Sequence, residues 1–400
     1  MIRPLEGLHR LPRQAKLILT VRTVRVFCDS FIALMIPLYL AARGFDAIVV
    51  GVIASWMLLG SALAIGLAGA VVHRLGVQLI LCLASVGMVL SGVGWSLNAA
   101  LPVLMFIAFF GSLNPHGGEV NLFRPMEHTA LADLVPEESH TTIFGYYSFL
   151  GAIAGAMGAL AFGGLPVLYS YLDPQSAMMI IFLSYAFVGC VVLVIYGRMS
   201  ANNIAVKPAP LARLDKSRGT VLRMTAVFCV DAFGGGFIVN ALVILWLVQR
   251  FEASLAESGT LFFCAGILAA LAQLVAAPIS RRIGLGRTML VGHVPSSLLL
   301  IAAGFAPSFA LAATCLILRG FLSQLDVPTR TAFVFSHVAP SERAAAISFT
   351  LLPFSLAAAV APLMSGWLLS VSTIVGWPLV AAGCVRLIYA LLFWWKLWAL

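Results

Sequence analysis

Read from one end to the other, the chain is a succession of long apolar runs separated by short polar turns. A helix needs roughly 20 such residues to cross a bilayer. Twelve runs meet that length, near 19–42, 46–72, 77–98, 101–126, 142–166, 176–197, 221–249, 255–279, 287–306, 308–335, 344–370 and 375–397. The pattern predicts an all-α integral membrane protein with twelve transmembrane helices. One stretch breaks it. Residues 198–220 contain Arg198, Lys207, Pro208, Pro210, Arg213, Asp215, Lys216 and Arg218 and fall at mid-chain. They predict a polar linker between an N-terminal six-helix bundle, residues 1–197, and a C-terminal one, residues 221–400.

Composition agrees. The chain is 62% apolar and 10% charged, against about 45–50% and 25% in soluble domains. So few charges cannot cover a water-facing surface. The 24 Lys and Arg against 15 Asp and Glu give a net charge of +9, which in a soluble protein would suggest nucleic acid. Here the loops explain it. With the N-terminus inside, that side holds Arg3, Arg10, Arg13, Lys16, Arg74, the linker, Arg281, Arg282, Arg287, Arg343 and Lys396. The opposite loops hold Arg43 and Arg250. The positive-inside rule then predicts cytoplasmic termini, with the lipid bilayer as partner and no nucleic acid. Met1 to Lys16 is basic without an apolar core, unlike a cleaved signal peptide. The seven Cys stand singly in apolar runs, with no CxxC or Cys/His spacing; they read as small buried hydrophobes. No cofactor or resident metal is expected.

The two halves echo each other at a spacing of roughly 205 residues. Helix 1 reads Phe27-Cys28-Asp29-Ser30-Phe31, and helix 7 reads Phe228-Cys229-Val230-Asp231-Ala232-Phe233. His73-Arg74-Leu75-Gly76 follows helix 2, and Arg281-Arg282-Ile283-Gly284 follows helix 8. Glu119-Val120 in helix 4 corresponds to Asp326-Val327 in helix 10, and Val135-Pro136-Glu137-Glu138 to Ala339-Pro340-Ser341-Glu342. Four matches in one order imply internal duplication. Six helices per half preserve topology, so the halves should be parallel repeats about an axis along the membrane normal.

Twelve helices, a 6+6 duplication, a central linker and a Gly/Arg loop after helices 2 and 8 resemble the major facilitator superfamily. Its loop signature, roughly G-x-L-x-D-R-x-G-R, appears as Gly69-Ala70-Val71-Val72-His73-Arg74-Leu75-Gly76-Val77. Arg74 and Gly76 match, while His73 and Val77 depart from it. The second copy keeps Arg282 and Gly284 and has Arg281 at the acidic position. The segments Asp231–Phe237, Leu325–Arg330 and Pro340–Ala346 are similar to a bacterial group of that superfamily without an assigned substrate. The resemblance implies two pseudo-symmetric six-helix bundles in a bacterial cytoplasmic (inner) membrane. It also implies a central cavity lined by helices 1, 4, 7 and 10.

An ionisable residue within a span costs about 2.5–3.5 kcal/mol on insertion scales and is usually functional. Here these are Asp29, Glu119, Asp231, Arg319, Asp326, Arg330 and Arg386, with Arg124 and His293 less deep. Asp29 and Asp231 each lie about ten residues into their helices, or about 15 Å at 1.5 Å per residue. They are the expected coupling carboxylates, with Asn240 beside the same cavity. Arg319 either holds an anionic substrate or neutralises a carboxylate. Glu119, Arg124, Asp326 and Arg330, with Arg74 and Arg282 in the loops, are expected to form a cytoplasmic gate. Asp326 and Arg330 are also four apart, so they can pair along one helix face. Arg386 reads as structural. Gly234-Gly235-Gly236 is either a hinge or a close helix contact.

No phosphate-cradling glycine loop, metal-ligand spacing or nucleophile with a partner is present. The expected activity is therefore not enzymatic. It is secondary transport of a small solute or ion by alternating access, coupled to protons, by a functional monomer. Helix 5, with Gly151, Gly155, Gly158, Gly163 and Gly164, faintly resembles an exporter signature, which leans the expected direction slightly to export. The alternatives are a divalent-cation carrier using Asp29 and Asp231, and a non-transporting membrane receptor or scaffold.

Overall fold

Local signals set where the helices begin. Asp46 accepts a hydrogen bond from the Val49 amide at the start of the Ala47–Ser96 helix, and Asp173 from the Ser176 amide at the start of Pro174–Gly197. Ser254 and Glu257 form a reciprocal capping box opening Leu255–Ile283, and Ser308 caps Phe309–Gln324. Such caps satisfy amides that the first helical turn leaves without partners. All four lie in loops on the side opposite the termini. The computed structural model describes residues 11–116, 121–136, 139–199, 214, 217–339 and 342–397; most of the expected linker lies outside the described residues.

In chain order the helices of the first half are α1 (Arg13–Ala42), α2 (Ala47–Ser96), α3 (Leu101–Phe110), α4 (Phe123–Leu134), α5 (His140–Phe162), α6 (Leu165–Tyr169) and α7 (Pro174–Gly197). The second half has α8 (Arg218–Gly236), α9 (Asn240–Phe251), α10 (Leu255–Ile283), α11 (Leu285–Gly304), α12 (Phe309–Gln324), α13 (Asp326–His337), α14 (Arg343–Val371) and α15 (Trp377–Leu397). Among the described residues, ten helical stretches are long and apolar enough to cross a membrane. One of them, α2, runs for 50 residues but turns at Gly76, φ 76° and ψ 157°, and so makes two spans. The interrupted pair α3/α4 supplies the twelfth. Gly284, φ 89° and ψ 157°, makes the equivalent turn between α10 and α11. Only glycine occupies this region without steric cost, so the two loop glycines shared by the halves carry the same bend.

Duplication is visible in the packing. Helix α1 packs on α5 as α8 packs on α14, and α2 on α7 as α11 on α15. Between the bundles, α2 packs on α14 and α10 on α5. The spans α3/α4, α8/α9 and α12/α13 are interrupted in mid-membrane. Broken backbone at that depth is tolerated only where protein buries it or water lines it. The breaks therefore mark the interior between the bundles.

The apolar core is not evenly shared. On the side away from the termini, one cluster joins both bundles, from Ile32, Leu40, Met57 and Trp95 to Val239, Trp246, Ala303 and Leu379. On the termini side each bundle keeps its own core: Ile18, Ile80, Phe123 and Tyr147 in one, Met224, Met289, Phe333 and Phe393 in the other. The joint is sealed by contact between α2 and α14. A Cβ on Gly51 would collide with the Pro362 carbonyl, and one on Gly366 with the Ala47 carbonyl. The Leu363 amide donates to Ser55 Oγ at 2.9 Å in the same contact.

Overpacking a tight contact costs about 1–3 kcal/mol. Gly366→Leu is expected to pry the joined side apart rather than unfold either bundle. Spin labels at the exposed Leu97 and Ile374 should move further apart in electron–electron resonance distances, with helix content unchanged. An unchanged distance in a folded variant contradicts this role for the glycine contact.

Candidate functional site

In the N-terminal bundle, one arginine holds two carboxylates. Arg25 and Asp29 lie one turn apart on α1, and Arg25 Nη1 donates to Asp29 Oδ2 at 3.2 Å. Its Nη2 reaches Glu127 on α4, at 3.3 Å and 3.2 Å to the two carboxylate oxygens. Every carboxylate oxygen has a donor, while Arg25 Nε is buried without a hydrogen-bond partner. Tyr185 donates to Asp29 Oδ1 at 2.8 Å, and Tyr196 to Glu127 Oε1 at 2.6 Å. Tyr147 donates to Glu127 Oε2. The Arg25 guanidinium lies over the Phe123 ring, and Arg22 over the Tyr147 ring. Arg25, Asp29 and Glu127 are buried. The network ties helix 1 to helix 4, with tyrosines from helices 5 and 6 closing it.

The C-terminal bundle repeats the plan with the arginine on the other helix. Arg330 on α13 donates through Nη2 to both Asp231 on α8 and Asp326 on α13. His293 on α11 lies between the same carboxylates, its Nε2 3.1 Å from Asp326 Oδ2 and its Nδ1 3.6 Å from Asp231 Oδ1. Arg386 on α15 approaches Asp231 Oδ1 through Nε at 3.3 Å. Asp326 opens α13, where the helix dipole favours a negative charge. Unlike in the first network, the carboxylates here are incompletely satisfied. Asp231 Oδ1, Asp326 Oδ1, Arg386 Nη1 and Arg319 Nε are buried without a hydrogen-bond partner.

Arg386 reaches Asp231 because α8 is bare at that level. Cβ atoms on Gly234 and Gly235 would meet Arg386 Cγ at 3.0 Å and Nη2 at 3.3 Å, and one on Gly236 would collide with the Ala358 carbonyl. Helix 7 then breaks: α8 ends at Gly236 and α9 starts at Asn240. The glycine run thus combines close packing with a helix break. Asn240 Nδ2 donates to the His116 carbonyl at 3.5 Å. This bond joins the break in helix 7 to the break in helix 4, across the two bundles.

The other expected residues fall as follows. Asp231, Asp326, Arg330 and Arg386 come together; Asp29 lies in the other network, so the two deep aspartates do not share a site. Asp326 and Arg330 pair within one helix and with Asp231, not across the bundles. Arg124 is half-buried on α4, and Glu119 lies outside the described residues. Arg74 and Arg282 are exposed in the matching turns. Among the described residues, Asp231, His293 and Asp326 bring three potential ligand atoms within 4.8 Å of one another. The Arg330 guanidinium occupies the space between the two carboxylates, which argues against a cation there. Along helix 5, Cβ atoms on Gly155 and Gly151 would meet Ser30 Oγ at 3.0 Å and Arg22 Nε at 2.9 Å, and one on Gly158 would collide with the Phe27 carbonyl. Those glycines serve packing on α1, which takes up the feature behind the expected export direction.

Sequence reasoning passed over Arg25, Glu127 and the three tyrosines. Arg25 stands four residues before Asp29, which is pairing distance on a helix. Glu127 falls just past the apolar run of helix 4, because the break in that span lengthens it. Nothing in the sequence marks Tyr147, Tyr185 or Tyr196, whose hydroxyls matter only once the bundle is folded. Removing one partner of a buried ion pair strands the other charge, at about 3–5 kcal/mol. Arg25→Met should strand two carboxylates and lower the melting temperature in detergent steeply, and Arg25→Met with Glu127→Leu should recover part of the loss. A melting temperature unaffected by Arg25→Met contradicts the network's structural role.

Comparison with known proteins gives the same picture. The sequence profile of the Major Facilitator Superfamily matches residues 224–400. An uncharacterized membrane protein of Saccharomyces cerevisiae is 24% identical over 316 residues, which is 70% of each chain. The crystal structure of the nucleoside transporter NupG superposes with a TM-score of 0.73 at 14% identity, covering 95% of this chain and 98% of that one. The xylose transporter XylE from E. coli, in a partially occluded inward open conformation, gives 0.73 at 16% identity over 96% and 97% of the two chains. A bacterial homolog of the human lysosomal transporter Spinster, inward-facing and unoccupied, gives 0.73 at 14% over 96% and 97%. The resemblance read from the sequence therefore stands: the second bundle matches the family by sequence, and the whole multi-pass membrane chain has the fold of Major Facilitator Superfamily transporters.

Proposed function

We propose that the protein is a secondary active transporter that moves a small solute by alternating access, with protons as the coupling ion. The observation that carries the reading is the Asp231 cluster. It places a buried carboxylate at the break of helix 7 and shares it among basic side chains on helices 9, 10 and 12. A buried charge of this kind must be paired, hydrated or protonated at each stage of a cycle. A proton on Asp231 would release Arg330 to Asp326 alone and loosen Arg386, freeing helix 7 from helices 10 and 12. A group whose protonation differs between two conformations couples protons to that change. The Asp29 network, whose carboxylate oxygens are all bonded, is the stiffer of the two and suits a positioning role within its bundle.

The uneven core supports the reading of alternating access. Bundles joined on one side and separately packed on the other correspond to one end of a rocking motion about a midplane site. The exposed Arg74, Arg281, Arg282 and Arg287 lie on the termini side, which favours cytoplasmic termini and an inward-facing state. We place the chain in a bacterial inner membrane. Because one chain carries both bundles, it is expected to act as a monomer, without enzymatic chemistry and without a nucleic-acid partner.

Asp231→Asn tests the coupling. In proteoliposomes, with a solute first identified by its effect on thermal stability, the variant should lose accumulation driven by a pH gradient. It should keep solute exchange, which needs no net proton movement. Asp29→Asn should show a weaker form of the same defect. Wild-type accumulation by Asp231→Asn would place the coupling elsewhere, and no flux by the wild-type protein would favour a receptor or scaffold instead.

A further inference from the structure

The charges of the two bundles are not paired alike. In the first network Arg22, Arg25 and Arg124 stand with Asp29 and Glu127, and each of these arginines has an interaction partner. In the second, Arg319, Arg330 and Arg386 face only Asp231 and Asp326, with His293 between the two acids. Arg330 takes both carboxylates. Arg386 spends Nε on Asp231, while its buried Nη1 meets no acceptor. Arg319, on α12 one turn before the helix 10 break, makes no ion pair among the described residues, and its Nε is buried without a partner. It lies close enough to Arg386 for the two charges to repel, and both act on His116 at the helix 4 break.

Two guanidinium groups that repel each other in a low-dielectric interior are costly unless an anion sits between them. Asp231 attracts Arg319, but its oxygens are engaged by Arg330, His293 and Arg386. The chain thus supplies a cradle with donors to spare at the meeting point of three broken helices. Guanidinium forks match carboxylate and phosphate oxygens in geometry as well as charge.

We infer that the solute carries an anionic group, a carboxylate or phosphate, which docks between Arg319 and Arg386 beside the broken helix 7. This rests on the transport reading and names its substrate class. Arg319 becomes a binding residue, and Arg386 links the solute to Asp231: an anion that takes up Arg386 draws it away from the aspartate. The solute and Asp231 then compete for one guanidinium.

The test is thermal unfolding of the purified full-length chain in detergent at constant ionic strength. The probes are solute pairs that share a skeleton and differ in charge: benzoate and benzamide, succinate and succinamide, glucose 6-phosphate and glucose. A ligand that binds the folded state raises its melting temperature. At least one anionic member should do so while its neutral partner does not. Losing a charge-assisted contact should weaken that binding at least about tenfold in Arg319→Gln, with partial retention in Arg319→Lys. Without ligand, Arg319→Gln should melt at or above the wild-type temperature, since it removes an unpaired buried charge. The inference is overturned if no anion stabilises the protein, if a neutral member does so equally, if the shift survives Arg319→Gln, or if that variant melts lower without ligand. An anion that binds through Arg319 but does not cross a proteoliposome membrane sinks transport and leaves this site standing. Flux of a neutral solute does the reverse.

Discussion

A charge placed among membrane-spanning helices must find its counter-charge within the protein, because lipid offers none. That constraint organises both halves of this molecule. Each bundle links its first helix to its fourth through an arginine held by two carboxylates: Arg25 between Asp29 and Glu127, and Arg330 between Asp231 and Asp326. The arginine has changed helices between the repeats, yet the linkage is the same. Helix ends, glycine contacts and apolar cores then fix how the two bundles meet.

The difference between the networks separates scaffold from site. Around Arg25, three tyrosines and the guanidinium complete every carboxylate oxygen, so its acids resemble those of a satisfied core, in which members reinforce one another. Around Arg330 the pairing is incomplete. Carboxylate oxygens and guanidinium nitrogens remain without protein partners, and a third arginine has no acid of its own. Incompletely satisfied buried groups are expensive, and proteins keep them where a partner arrives and leaves. The glycine run of α8 serves the same end by admitting the Arg386 side chain and ending the helix beside it.

The span number and the duplication were legible because hydropathy and the 3.6-residue period act over long stretches, which short interruptions do not mask. The paired loop glycines, Gly76 and Gly284, were legible because their backbone angle restricts the residue type. The breaks in helices 4, 7 and 10 were only partly so. The Gly234–Gly236 run hinted at one, and Gly111, Asn114-Pro115 and Gly117-Gly118 carried a comparable signal in helix 4, passed over when that span was read as one apolar run. That is why Glu127 was passed over. Asp29 and Asp231 were recognisable as equivalent positions; their separation into two unlike networks depends on neighbours such as Tyr185 and Arg386, which are distant in sequence. Arg330 was expected to serve a gate, but its short reach to Asp326 along one helix and to Asp231 across to the next makes it the centre of the cluster instead.

The central claim is that the N-terminal network is a fixed brace and the C-terminal network the part that rearranges. An experimental structure of the protein trapped with its opposite side open, for example by Gly366→Leu, tests this most directly. The account predicts that Arg25 keeps both Asp29 and Glu127 within hydrogen-bonding distance, while Asp231 has exchanged at least one of Arg330, Arg386 and His293. Broken Arg25 contacts, or an Asp231 cluster unchanged in every contact, would contradict it.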